Sequence, residues 1–411
     1  MPPGPSWSNS VAASAAPNWT DVAAPRTSQI ALGFNGTLSR FGGASTTPLP
    51  PPRMRPDLAN VALVAATGPD AANFRVRGTL LAPALREHGV ALDPLPLFDA
   101  QRDVLFHSAD PRRRARILLA ARRAQRARLD AGWPALRTVL LLRQADLLPP
   151  LGLEKAATDD RKVVYDVDDA IWNDARRAGG HPLAFLKASG RKAAWLARRA
   201  DHVVAATPLL AEWLGRHARD VTVIPSLVDT DRLRPRRHAQ AETLTVGWVG
   251  SPSTSRYLGA VRAPLARLAG ALPDRTVVLD VVGGEVEPIA GVEVVCRPWT
   301  PAAEDDALER MDVGIMPLPD DPWTRGKAAY KAIQYMGAGV PVVADAVGAV
   351  GDVVDDAGLL TTGEDAWFEA LASLAGDAGL RARLGAAGRE RATAHYSIRR
   401  WAPTLAGLLR D

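Results

Sequence analysis

The sequence predicts an α/β protein made of two doubly wound parallel sheets, and three observations carry that prediction. Short apolar runs of strand length alternate with amphipathic helical stretches from residue 58 to the end, the pattern of consecutive βα units. A polar run at 229–242, containing Arg234-Pro235-Arg236-Arg237, separates two such series and reads as an interdomain linker. A length of 411 residues exceeds what one hydrophobic core ordinarily supports. The expected division is a leader at 1–57, a first domain at 58–235, a second at 240–395 and a final helical segment at 396–411.

The leader is rich in Pro, Ser, Ala and Gly, ends in Pro48-Leu49-Pro50-Pro51-Pro52, and is expected to be disordered because it offers too little apolar surface to bury. It has neither the basic start nor the apolar core of a signal peptide. Leu58 to Ala65 then predicts a first strand, followed by a loop at 67–77 that carries Phe74, Arg75 and Arg77. An amphipathic helix over 78–88 stops at Gly89, and a strand runs to about Pro96. Residues 111–130 are the most basic stretch, with eight arginines around Ile117-Leu118-Leu119. A helix of this kind would rest peripherally on an anionic membrane surface. It reads equally as a solvated helix whose few apolar residues dock on the sheet, and the second reading is preferred.

The strand Thr138 to Leu142 ends at Arg143 and Gln144. A strand beginning at Lys162 runs directly into Asp166, Asp168 and Asp169, at the carboxyl end of a parallel strand. These carboxylates would hold a divalent ion against a diphosphate, orient hydroxyls of a polar substrate, or cap the next helix. A basic helix at 182–200, a strand at 201–206, a helix opening at Thr207-Pro208 and a strand at 221–225 complete the first series.

The second series opens with Leu244 to Val249, turning at Gly250-Ser251-Pro252-Ser253-Thr254 into a helix that carries Arg256. Small residues, hydroxyls and a cation at a helix start suit an anion, although neither the dinucleotide fingerprint nor the P-loop lysine is present. Strands follow at 276–282 and 292–296, and the ring of Trp299 just beyond would stack on a base or fill the core.

Asp312 to Leu318 is another buried strand, and Thr324 would cap a helix from near Gly326 to Gly337. Val340 to Ala344 is the next strand, with Gly348 and Gly351 in the loop after it. Sheets of this type bind ligands outside the carboxyl ends of their strands, where the helix start near 324–327 would attract a phosphate. Lys327, Lys331 and Gln334, at i, i+4 and i+7, would share one helix face. Only six lysines occur among 50 Lys plus Arg, and two of them fall here, which favours a ligand over a merely solvated face. A strand near 358–360 and helices at 364–375, 380–393 and 398–410 close the chain.

Hydrophobic content of 47% with 23% charge is that of a globular chain. No apolar run reaches the roughly 18 to 20 residues of a membrane span. The single cysteine, Cys296, excludes an internal disulfide and any multi-cysteine metal site, and it fits a cytoplasmic protein, which would be peripheral at the inner membrane face under the first reading of the basic helix. The formal net charge of +5 is spread as arginine along the chain without interleaved aromatics, so nucleic acid is not an expected partner.

Several of these stretches together resemble retaining glycosyltransferases of family 4. They are Val246-Gly247-Trp248-Val249-Gly250-Ser251-Pro252, Val281-Val282-Gly283-Gly284, Asp312 to Leu318, and Gln334-Tyr335-Met336-Gly337-Ala338-Gly339-Val340-Pro341-Val342-Val343. In the first half, Val223-Ile224-Pro225-Ser226-Leu227-Val228-Asp229 looks like the stretch that closes that family's N-terminal domain. The resemblance implies the GT-B fold: two Rossmann-like doubly wound domains facing a cleft, with a C-terminal helix crossing back to the first domain.

The resemblance further implies transfer of a sugar from a nucleoside diphosphate sugar to an acceptor with retention, without metal or cofactor. The family's usual Arg and Lys near the first loop of the donor domain have no clear counterpart in this chain, and Arg256, Arg325 and Lys327 are the candidates to stabilise the leaving diphosphate. Gly250, Ser251, Thr254, Trp299, Lys331, Gln334 and Gly348 would bind the donor. Arg75, Arg77, Asp168 and Asp169 would shape the acceptor side. Many members have glutamates where this chain has Gly326 and Gln334. Gln334 would still accept from a ribose hydroxyl through its amide oxygen. Three alternatives remain: a sugar-nucleotide epimerase of the same architecture, a metal-dependent transferase of a different fold with Asp166 and Asp168 as its metal site, and a noncatalytic basic protein that binds sugar nucleotides.

Overall fold

The computed structural model describes Arg55 and residues 57–108, 110–131, 136–149, 151–176 and 188–410. Apart from Arg55 and Asp57, the predicted leader therefore lies outside the described residues, as does the first part of the helix expected at 182–200, whose described helical part is Ser189–Arg199.

Among the described residues, twelve strands form two parallel sheets of six. The first contains β1 (Ala59–Ala65), β2 (Val90–Pro96), β3 (Thr138–Leu142), β4 (Lys162–Val167), β5 (His202–Ala205) and β6 (Val221–Val223), in the order β2-β1-β3-β4-β5-β6. The second contains β7 (Thr243–Val249), β8 (Thr276–Val282), β9 (Val292–Arg297), β10 (Val313–Met316), β11 (Val342–Asp345) and β12 (Gly358–Thr361), in the order β12-β11-β10-β7-β8-β9. Central strands such as β4 and β10 are buried along nearly their whole length, as expected for strands covered by helices on both faces. In each sheet the winding direction reverses once, between β1 and β3 and between β7 and β10. Ligand crevices open at such reversals.

Helices pack on both faces. The basic helix Pro111–Ala131 lays one stripe on the first sheet: Leu118, Ala121, Gln125 and Leu129 are buried, and the Gln125 amide donates to the Leu95 carbonyl at 2.9 Å. Arg112, Arg113, Arg116, Arg123 and Arg126 stay exposed. The C-terminal helix Ile398–Arg410 returns to the first domain, where Ile398, Ala402, Leu405, Ala406 and Leu409 share one core with Val61, Leu63, Leu85 and Leu140. The chain crosses between domains at two adjacent points, since Val228 N–H donates to the Tyr396 carbonyl at 2.9 Å and Ile398 N–H to the Val228 carbonyl at 3.1 Å.

Several expectations need correction. The helix expected from Gly326 begins at Tyr330, because Lys327 is extended and Ala329 is left-handed at φ +51°; Thr324–Gly326 is a separate 3₁₀ turn. The loop at 67–77 contains the helix Ala72–Arg77, and the helix of 78–88 is divided into a 3₁₀ turn, Thr79–Leu81, and Ala82–Glu87. The helices Ala100–Ser108, Gly152–Thr158 and Pro301–Arg310 carry no strong apolar period and were not anticipated. Among the described residues no helix is long and apolar enough to cross a membrane.

Candidate functional site

The carboxyl ends of the two sheets meet across a cleft, which is bridged by contacts from loops and helices that follow strands. After β4, Asp169 faces Lys327, from the loop after β10, with Oδ1 and Nζ 3.7 Å apart. Ala170 packs so closely on Gly326 that a Cβ at 326 would lie 2.3 Å from the Ala170 methyl. The Asn173 amide donates to the Pro322 carbonyl at 2.9 Å. After β1, Arg75 reaches the second domain, donating to both oxygens of Glu304 at 2.9 and 3.0 Å while its guanidinium lies 4.6 Å from the Trp299 ring centroid. Trp299 in turn donates its indole N–H to Glu304 at 2.7 Å.

On the first domain the 168–170 loop is fixed by Arg143. Its guanidinium forks Asp168, Nη2 lying 2.8 Å from Oδ2, and Nη2 also sits 2.6 Å from Asp169 Oδ2. Burial opposes charge on Asp168, yet the Arg143 guanidinium outweighs it and holds the carboxyl below its ordinary range. Arg143 is left-handed at φ +58°, and its carbonyl accepts from the Tyr165 hydroxyl at 2.8 Å. A non-glycine residue pays conformational energy there, which persists only where neighbours enforce it. Together with Thr67, Asn73, Gln144, Ser189 and the ring of Trp323 from the second domain, Arg143 lines a cavity of about 170 Å³ beside the first sheet's crevice.

On the second domain the site forms where β7 and β10 part. The Tyr335 hydroxyl joins the strands there, accepting from Val249 N–H at 3.1 Å and donating to the Ile315 carbonyl at 3.4 Å. Gly250 leaves β7 against Trp248 and Lys331: a Cβ would come within 2.3 Å of the indole and 2.9 Å of Lys331 Cε. Gly283, at φ +80°, similarly admits the Gly250 carbonyl and Trp299. The Lys331 ammonium lies 5.2 Å from the Trp248 ring centroid. Burial, with Lys327 adding repulsion and Asp169 only partly compensating, pushes its pKa from 10.5 down to about 7.

The structure thus gathers Gly250, Lys331, Lys327, Trp299, Arg75 and Asp169 around one cleft, with Asp168 behind them. Ser251 and Thr254 form the turn after β7, where Ser251 N–H donates to Thr254 Oγ1 at 3.4 Å. That turn begins a helix of only four residues, Pro252–Ser255, rather than the longer one expected. Arg256 is exposed and stacks on Tyr257 at 5.1 Å. Arg325 is also exposed, with its guanidinium on Asp320 at 2.5 and 2.8 Å. Gln334 is buried on the helix Tyr330–Gly337, whose late start removes the shared face expected with Lys327. Gly348, at φ +56°, closes on the Arg325 backbone.

Arg77 does not line the cleft. It is 1% exposed and donates to both oxygens of Asp166 at 2.9 and 2.7 Å, so it is a strut beneath the cleft. With Asp166 on Arg77 and Asp168 on Arg143, the two carboxylates are drawn to different cations, and no group of three or more possible metal ligands occurs among the described residues. Arg143, Glu304, Trp323 and Tyr335 were not singled out from sequence as site residues. The only signal for the first was its place at a strand's carboxyl end.

Two Rossmann-like domains joined in this way, with their crevices opposed and a C-terminal helix returned to the first, have the GT-B glycosyltransferase fold. Residues 243–377 match the family described as Glycosyl transferases group 1. No curated protein sequence matches the chain.

Among solved structures, the chain is similar to the sucrose-phosphate synthase of Thermosynechococcus elongatus, at 17% identity over 86% of this chain and 98% of that one, with a TM-score of 0.64. WaaG, a glycosyltransferase involved in lipopolysaccharide biosynthesis, is 14% identical over 85% of this chain and all of its own (100%), with a TM-score of 0.58. Anabaena HepE in complex with UDP and glucose is 16% identical over 86% of this chain and 100% of that one, with a TM-score of 0.53. At these identities the likeness shows the fold.

Proposed function

We propose that the protein transfers a sugar from a nucleoside diphosphate sugar to an acceptor bound on the first domain, with retention of anomeric configuration. The observation that carries this is the convergence of Lys327 and Lys331 on the cleft at the β7 and β10 crevice, facing Asp169 across the domain boundary. The family matched over 243–377 supports the same reading, as does the complex of HepE with UDP and glucose.

In this reading the diphosphate lies beside Gly250, whose missing side chain makes room for Trp248 and Lys331, and Lys327 and Lys331 compensate the charge that grows on it as the sugar leaves. Arg256, which follows the turn after β7, would add a further cation to the diphosphate. Trp299 flanks the base. The acceptor hydroxyl attacks the anomeric carbon on the face the phosphate leaves, the carbon–phosphate oxygen bond breaks, and the hydroxyl proton passes to a phosphate oxygen. Support for a reaction without a protein nucleophile comes from the carboxylates: Asp168 and Asp169 are both held by Arg143. No resident metal is required.

The test is a panel of nucleoside diphosphate sugars scored for thermal stabilisation and consumption, with Lys327→Ala in parallel and the product anomer read by NMR. One donor should stabilise and be consumed by the wild type and not by the variant, with chelator having no effect. A product of inverted configuration would remove the retaining mechanism, and a panel in which nothing binds would remove the transferase reading itself.

A further inference from the structure

The first domain carries a second, larger hollow whose walls adjoin those of the cavity beside Arg143. Leu147 and Ser189 line the smaller cavity; Pro149 and Ala188, their near neighbours in sequence, line the larger one, together with Leu151, Lys155 and Arg191. Its volume is about 530 Å³, within the roughly 300–1,000 Å³ of small-molecule sites.

The chemistry of the walls is mixed in a particular way. Pro149, Leu151 and Ala188 present apolar surface. Lys192, at the base, is 2% exposed and fully engaged, donating to the Asp146 carbonyl at 2.6 Å and to Glu154 at 2.9 Å. It therefore supports the floor and is not free for a ligand. Lys155 and Arg191 are different: both are exposed and neither has a carboxylate partner among the described residues. Two uncompensated cations at the mouth of an apolar hollow are complementary to a molecule with an apolar body and an anionic group.

The surroundings extend the same character. The basic helix Pro111–Ala131 borders the hollow, with Arg126 Nη1 3.5 Å from the Gly152 carbonyl and Arg122 2.7 Å from Asp146. Leu119 lies one turn from Arg122 on that helix and is 49% exposed, and Leu148, next to Pro149, is 37% exposed.

We infer that this hollow receives the acceptor, and that the acceptor is an anionic amphiphile: an apolar chain bearing a phosphate, its chain against Pro149, Leu151 and Ala188 and its phosphate between Lys155 and Arg191. A hydroxyl-bearing group beyond the phosphate points toward the cavity beside Arg143 and Trp323 and supplies the attacking oxygen. This rests on the transferase reading only in calling the ligand an acceptor; the site itself does not depend on it.

The experiment uses dodecyl phosphate below its micelle concentration as the probe, titrated into the full chain by calorimetry, with inorganic phosphate and dodecyl maltoside as comparators. The wild type should bind dodecyl phosphate at least tenfold more tightly than either comparator. Lys155→Glu with Arg191→Glu, both exposed and so expected to leave the melting temperature unchanged, should weaken dodecyl phosphate at least tenfold, and Lys155→Arg with Arg191→Lys should restore it.

Equal affinity for inorganic phosphate would reduce the site to an anion patch, and equal affinity for the maltoside would reduce it to an apolar hollow; either overturns the inference, as would undiminished binding in the double glutamate variant. Donor consumption is read separately. Amphiphile binding without donor consumption would leave the site standing and the transferase reading refuted, and the converse result would do the opposite.

Discussion

Lys331 gives the most direct prediction, because its environment turns a proton into a reporter of donor binding. The amine is flanked by the Trp248 ring, by Lys327, which repels its charge, and by Asp169, which attracts it. With a pKa of about 7 it is about nine-tenths protonated at pH 6 and about one-tenth at pH 8. A nucleoside diphosphate sugar carries two phosphates with no ionisation of their own in that interval. If the bound diphosphate keeps the ammonium charged throughout, donor affinity falls about tenfold from pH 6 to pH 8, and close to one proton is taken up per donor bound at pH 8.

Calorimetric titration at pH 8 in two buffers of different ionisation enthalpy measures that uptake. Lys331→Met should bind donor more weakly at pH 6 and lose both the pH dependence and the uptake. No proton uptake in the wild type, or an unchanged pH profile in the variant, would refute the placement of the diphosphate on this amine. The same displacement bears on stability. Between pH of about 7 and 10.5 the unfolded lysine binds a proton that the folded one refuses, so the wild type gains stability relative to Lys331→Met as pH rises through that window.

Other expectations follow from the struts and contacts around the cleft. Arg77→Ala leaves Asp166 buried without its cation and should cost about 3–5 kcal/mol in urea unfolding; a loss of less than about 1 kcal/mol would mean that the pair is solvated. Gly326→Ala drives a methyl into Ala170 and should lower donor turnover by up to about 100-fold through misplacement of the facing loops, with partial recovery when Ala170→Gly is added. Absence of that recovery would argue against the contact as the cause. Arg325→Ala, which breaks only an exposed pair with Asp320, should change donor affinity less than threefold, as read by the same titration.

The fold was largely legible because parallel strands buried on both faces announce themselves as short apolar runs. Leu244 to Val249 and Thr276 to Val282 were placed to within a residue of β7 and β8. What escaped was set by backbone and by distance. Nothing in the apolar period of 326–337 reveals that Ala329 turns left-handed and delays the helix to Tyr330, so Lys327 was assigned to the wrong element although it does reach the cleft.

Arg77 and Arg75 lie two residues apart on one short helix, yet one is a buried strut and the other spans the cleft. Only the positions of Asp166 and Glu304, far off in the chain, decide which is which. Arg143 was invisible as a site residue for the same reason, since its partners come 25 and 26 residues later.

The two strand crossings at Val228 and Ser397 run side by side and are hydrogen-bonded to each other, which restricts how the halves can move. A single tether would let one domain swing in any direction. A paired ribbon acts as a door hinge: it leaves one easy rotation, about an axis through residues 228 and 397, and resists sliding and twisting. Opening along that rotation would separate Lys327 from Asp169 and Arg75 from Glu304 together, so the cleft would admit and release its ligands in one concerted motion. The first domain is also completed by chain from beyond the linker, so cutting at 235 would strip β1 and β3 of the helix that covers them. A first half expressed alone would expose Val61, Leu63 and Leu140 to water, and its failure to stay in solution would reflect that missing cover.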